Sequence, residues 1–132
     1  MRINISDHTA DVILSVNGNS LEELLSGVII GLSKYIWGDT NCLSYTDKLI
    51  IKGDGPDMTF ALASLLSDLL YYIEVDSVKV LSVDDVTYSR EKGNVFIKVE
   101  VTVCKVNSVE KMSDVKAVSF SMDWSVSIIL DL

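Results

Sequence analysis

The chain is poor in several things at once. Its 132 residues hold one proline, seven glycines, one histidine and two cysteines. So little proline and glycine leaves no room for a long linker, and no internal repeat is evident. A single histidine excludes a histidine-rich metal centre. Cys42 and Cys104 stand far apart with no CxxC or CxxH spacing, so zinc and redox motifs have no basis, and both are read as reduced thiols. Basic residues are the minority: 11 against 19 acidic, for a net charge of −8. A nucleic-acid footprint needs clustered Lys and Arg, and here they are scattered, so direct nucleic-acid binding is not expected. No run of about 18 apolar residues passes without a polar break, and Met1–Asp7 lacks the apolar run of a signal peptide. These absences read as a cytoplasmic protein with no membrane segment.

What is present is apolar material for a core, 48% of the chain, at the length of one ordinary domain, 1–132. Apolar and polar residues alternate over Ile3–Ile5 and again over Val12–Val16, giving short strands interrupted around Asp7–Ala10. Ser20 with Glu23 forms a capping box, and Leu21, Leu24, Leu25, Val28, Ile29 and Leu32 follow at helical spacing until about Gly38. Residues 39–48 read as turn, Leu49–Lys52 as a short strand closed by Gly53-Asp54-Gly55, and Pro56 as the first turn of a second helix. That helix buries Leu62, Leu65, Leu66, Leu69 and Ile73 and ends near Glu74. Beyond Asp76 the period changes to two, with short strands up to Tyr88, a turn at Gly93-Asn94, a strand over Val95–Val103, a polar connection over Asn107–Asp114 and two final strands. The expected fold is α+β: two layers, with two long amphipathic helices packed on one face of a mostly antiparallel, mixed sheet of about six to seven strands.

Chemistry is concentrated at the two ends of the sequence. In the last strand Trp124, Val126, Ile128, Leu130 and Leu132 share one face, so Asp131 points away from the core, as does Asp11 in the strand carrying Val12, Leu14 and Val16. If the first and last strands are adjacent, Asp11, Asp131 and the terminal carboxylate of Leu132 form a hard-oxygen site suited to Mg²⁺, Ca²⁺ or Mn²⁺. Two solvated aspartates are the plain alternative. His8 has no recognisable nucleophile beside it and no GxSxG elbow is present, so an independent hydrolase is the weakest reading. Lys116 is read either as an exposed lysine or as an acceptor for phosphate or a partner carboxylate.

Asp7-His-Thr-Ala-Asp11-Val, the Ser20-Leu-Glu-Glu-Leu helix start, Gly53–Tyr72, Lys116-Ala-Val-Ser and the terminal Asp131-Leu132 together resemble archease, in order and through nearly the whole chain. The resemblance implies a small α+β accessory protein, not an enzyme, that promotes guanylylation and turnover of an RtcB-type tRNA-splicing RNA ligase. It also implies a divalent-metal site on Asp11, Asp131 and the carboxylate of Leu132, with His8 and Lys116 at further motif positions. A chaperone-like role toward tRNA methyltransferases, without a functional metal, is the alternative it carries. Departures are visible: Ile13 stands where the family commonly has Gly, and Leu65 occupies a slot usually held by Trp.

Overall fold

In a computed structural model of the chain, residues 2–8, 11–38, 40–43, 46–106, 114–121 and 125–131 are described, with side chains at 2–5, 14–38, 40–43 and 46–106. In order the elements are β1 (Arg2–His8), β2 (Asp11–Asn17), α1 (Leu21–Trp37), β3 (Thr46–Gly55), α2 (Met58–Asp76), β4 (Val78–Glu91), β5 (Asn94–Lys105), β6 (Asp114–Ser121) and β7 (Ser125–Asp131).

The α+β class expected from the sequence is what the chain adopts, but the strands do not form one sheet. They form two, ordered β1-β2-β7-β6 and β3-β5-β4, and every described pairing is antiparallel. The reason lies at the edges of the three-stranded sheet. The β4 edge gives its Val80 N–H to Ser33 Oγ of α1 at 2.9 Å. On the β3 edge, Lys52 N–H donates to Asp68 Oδ2 at 2.9 Å and Asp54 N–H to Ser64 Oγ at 3.2 Å, both on α2. With helix side chains occupying these edge groups, neither edge extends into the other sheet. Val95, Ile97, Val99 and Val101 of β5, Ile51 of β3 and the leucines of both helices enclose one continuous core with Leu14 and Val16 of β2.

The helices start where the caps place them. Ser20 Oγ accepts from Glu23 N–H at 3.2 Å, the serine half of the capping box. Pro56 lies outside α2, because Asp57 takes the cap position and its Oδ1 accepts from Phe60 N–H at 3.0 Å. Among the described residues α2 is the one helix long and apolar enough to cross a membrane, yet Leu62, Leu65, Leu66, Leu69 and Ile73 spend that apolarity on the core, each fully buried. β4 runs unbroken over the segments read as separate strands, its pairing with β5 shifting at Val80/Ser82 and Val83/Asp85. The hairpin that follows turns at Lys92-Gly93, both with positive φ, one residue earlier than the sequence suggests.

Ser33 is the one buried polar side chain among the described residues, at 1% exposure. Ser33→Ala leaves the Val80 N–H buried and unpaired, at a cost of about 1–3 kcal/mol. Urea unfolding of the variant reads this directly; an unchanged midpoint would mean the N–H finds another acceptor.

Candidate functional site

β2 and β7 are neighbours, so the two ends of the sequence meet in the middle of the four-stranded sheet. Their register sets Asp11 opposite Asp131. The same rung continues outward on both sides, His8 of β1 opposite Asp11 and Asp114 of β6 opposite Asp131. One rung therefore crosses the sheet as His8–Asp11–Asp131–Asp114, and residues opposite one another in a ladder share a face. Strict alternation along β2 puts position 11 on the face opposite the buried Leu14 and Val16.

Strand spacing limits what the rung can do. Neighbouring strands lie about 4.8 Å apart, so Asp11 and Asp114 stand roughly 10 Å apart at the backbone, with Asp131 between them. Asp131 is the register neighbour of both Asp11 and Asp114, so it is common to both possible carboxylate pairs. An all-oxygen donor set of this kind suits a hard cation and not zinc. Leu132, whose carboxylate the sequence adds to the site, lies outside the described residues.

Sequence reasoning missed Asp114, which it assigned to the end of a polar connection. Its spacing to Val115 carried no signal of its own. Only the β6–β7 register reveals it. Lys116 is one row away, and the β6–β7 pairing shifts between Val115 and Ala117, leaving Lys116 as the extra residue of a bulge. Bulges re-aim a side chain and strengthen local twist, and they recur beside functional sites.

Among the described residues, the most perturbed acid lies elsewhere. On the exposed face of the three-stranded sheet Asp84 accepts from Lys48 Nζ at 2.7 Å, from Thr102 Oγ1 and, at 2.8 Å, from Ser82 Oγ. Hydrogen bonds from Lys48, then Thr102, then Ser82 lower its pKa from an ordinary 3.8 to about 2. This clasp joins β3, β4 and β5 and is structural. A depressed folded pKa means that the unfolded chain binds the proton more tightly, so the clasp stabilises fully above about pH 4 and is lost as pH falls through about 2. Asp84→Asn is expected to unfold more readily than the parent at neutral pH, with the gap closing toward pH 2. Equal urea midpoints at neutral pH would show that solvent already screens the clasp.

A cavity of about 180 Å³ is lined by Asp47, Tyr72, Asp76 and Cys104 among others. Beside it is a correction: Cys42 and Cys104 are not free thiols but a disulfide, with Cα atoms 5.7 Å apart. The fold brings the loop after α1 against the end of β5, where Leu43 N–H donates to Lys105 O at 2.8 Å.

Both the sequence and the fold resemble those of known proteins. The protein named archease from Danio rerio is 31% identical over 124 residues, covering 87% of this chain and 71% of that protein. The one from Methanosarcina barkeri is 26% identical over 138 residues, covering 96% and 92%. The solution structure of Methanobacterium thermoautotrophicum protein 1598 has the same fold, with a TM-score of 0.55 at 20% identity and 98% of each chain covered. The model of the archease protein family matches residues 4–131, from within β1 to the β7 aspartate between Asp11 and Asp114 on the rung, and the chain belongs to that family.

Proposed function

We propose that this archease is an accessory protein of an RtcB-type RNA ligase, promoting its guanylylation and turnover through a divalent-cation site on Asp11, Asp131 and the carboxylate of Leu132, extended by Asp114. As an archease the chain is an accessory protein and not an enzyme. The single observation behind the reading is the register that sets Asp11 opposite Asp131. Bound there, Mg²⁺, Ca²⁺ or Mn²⁺ would supply positive charge to offset that of a phosphate group on the ligase. The aspartates would hold and orient it, His8 would close one end of the rung, and Lys116 would be offered by its bulge to a phosphate or a carboxylate of the partner. A net charge of −8 suits a basic protein surface better than free RNA, and the setting is cytoplasmic.

Calorimetric titration with Mn²⁺, Mg²⁺ and Ca²⁺ tests the site. Binding is expected in the parent and lost in Asp131→Ala, and in a chain extended by one glycine past Leu132. Ligase guanylylation under limiting metal should fall with it. Undiminished guanylylation with Asp131→Ala would overturn the metal-based reading.

A second reading has one observation of its own. Phe60, Tyr71 and Val75 are 61%, 57% and 60% exposed and lie along the outer side of α2, away from its buried face. A helix apolar on both sides suits a chaperone-like contact with RNA-modifying enzymes such as a tRNA methyltransferase. That reading predicts intact partner function after Asp11→Ala or Asp131→Ala.

A further inference from the structure

The sheet edges of this molecule are treated unequally. Side chains of α1 and α2 take up N–H groups on the outer edges of β4 and β3. β6 is interrupted by the bulge at Lys116 and lies against α2. These are the ordinary protections of an edge. Among the described residues β1 has neither an edge amide taken up by a helix side chain nor a bulge: its register with β2 runs without a break from Arg2 to His8, and Ile3-Asn4-Ile5-Ser6 includes neither a charge nor a proline. Alternate N–H and C=O groups of such a strand face outward, unpaired by β2.

Its side chains point the same way. Ile3 and Ile5 pair with Val16 and Leu14, both fully buried, so they belong to the core side of the sheet, yet they are 36% and 48% exposed. Among the described strands, none adjoins them on the side away from β2.

We propose that β1 pairs antiparallel with β1 of a second copy of this chain, joining the two four-stranded sheets edge to edge. The strand is complementary to itself. A two-fold axis normal to the sheet at Asn4 sets Ile3 opposite Ile5 of the second copy and Ile5 opposite its Ile3, closing the four isoleucines into one cluster on the core side. A foreign strand would have to supply a matched apolar pair by coincidence; a second copy supplies it by symmetry. The contact closes on itself, because the other edges are protected and no open filament grows. The rung at His8 and Asp11 lies beyond the paired segment. One strand pair is a small interface, so the dimer is in exchange with monomer. Each copy carries −8, so repulsion opposes association and added salt strengthens it, the reverse of an interface held by ion pairs.

Sedimentation velocity of the full chain over a range of concentrations, at low and high salt, tests this. The expected result is a dimer that grows with protein and with salt, weakened at least about tenfold by Ile5→Lys while circular dichroism and melting temperature hold, since one unpaired charge in a desolvated pair costs more than the 1.4 kcal/mol that a factor of ten represents. Hydrogen exchange on the parent is the second arm, with protection of β1 amides rising with concentration; it decides the matter should Ile5→Lys fail to fold. A monomer at every concentration, or a dimer indifferent to Ile5→Lys in a folded variant, would overturn the proposal. So would β1 protection that arrives only with another protein, which would assign the edge to a foreign strand.

Discussion

Gly53→Ala is expected to cost at least about 3 kcal/mol, the upper end for overpacking, and to lower the melting temperature by on the order of 10 °C. A Cβ at this position would lie 2.5 Å from Leu65 N and 2.7 Å from Leu65 Cβ, and closer still to the carbonyl oxygen of Ala61. These are mostly backbone atoms of α2, which no change of rotamer can move. The whole helix would have to lift from β3. It is held there by the hydrogen bonds from Lys52 N–H to Asp68 and from Asp54 N–H to Ser64, and by Leu65, Leu66 and Leu69 in the core behind them. Gly31→Ala is the comparison: its Cβ would meet side-chain carbons of Ile3 and Leu14 at 3.3 Å, which can yield by a few tenths of an ångström. That variant also gains helix propensity of roughly 1 kcal/mol, so its net effect should be small. Thermal melts of both proteins check the contrast. Equal losses at the two positions would mean that the close approach of α2 to β3 is not the cause.

Gly53 also marks where local reading of the sequence stops working. Gly53-Asp54-Gly55 looks like a turn, and β3 runs straight through it to Gly55. The absent Cβ serves a neighbour distant in sequence, which no local pattern reports. α1, by contrast, was legible almost to the residue, because a capping serine, a helical stripe and Gly38 are all local signals. The division into two sheets was not legible, since it depends on Ser33, Ser64 and Asp68, three unremarkable polar residues whose partners are edge amides. The candidate site falls between these cases. Alternation in the first and last strands assigned Asp11 and Asp131 to the non-core face, and the register adds that they are opposite one another. Asp114 joins them through a strand pairing that begins only at that residue, so nothing in its own neighbourhood distinguishes it.

Breaking the Cys42–Cys104 disulfide should be the most costly single covalent change to this protein. The bridge joins positions 62 residues apart. Closing a loop of that length in the unfolded chain is worth about 4 kcal/mol in the chain-entropy account, against a total of about 5–15 kcal/mol for a typical domain. Little of the loss should come from the folded state. The loop holding Cys42 keeps its hydrogen bond from Leu43 N–H to Lys105 O, and Lys79 Nζ still donates to Thr40 O at 2.8 Å. Cys104, 1% exposed, remains packed in the core as a thiol. The native fold therefore persists on reduction while its unfolded competitor gains freedom. Melting with and without a phosphine reductant should show a fall on the order of 15 °C, matched by Cys42→Ser with Cys104→Ala. Alkylation under denaturing, non-reducing conditions should label neither cysteine, and both after reduction. Labelling of both without reductant would mean that the bridge is absent from the protein as isolated, and the 62-residue loop would then contribute nothing. The same experiment on protein drawn directly from its source bears on the cytoplasmic setting, because bridges of this kind persist in oxidising compartments and, in the cytosol, chiefly in hyperthermophiles.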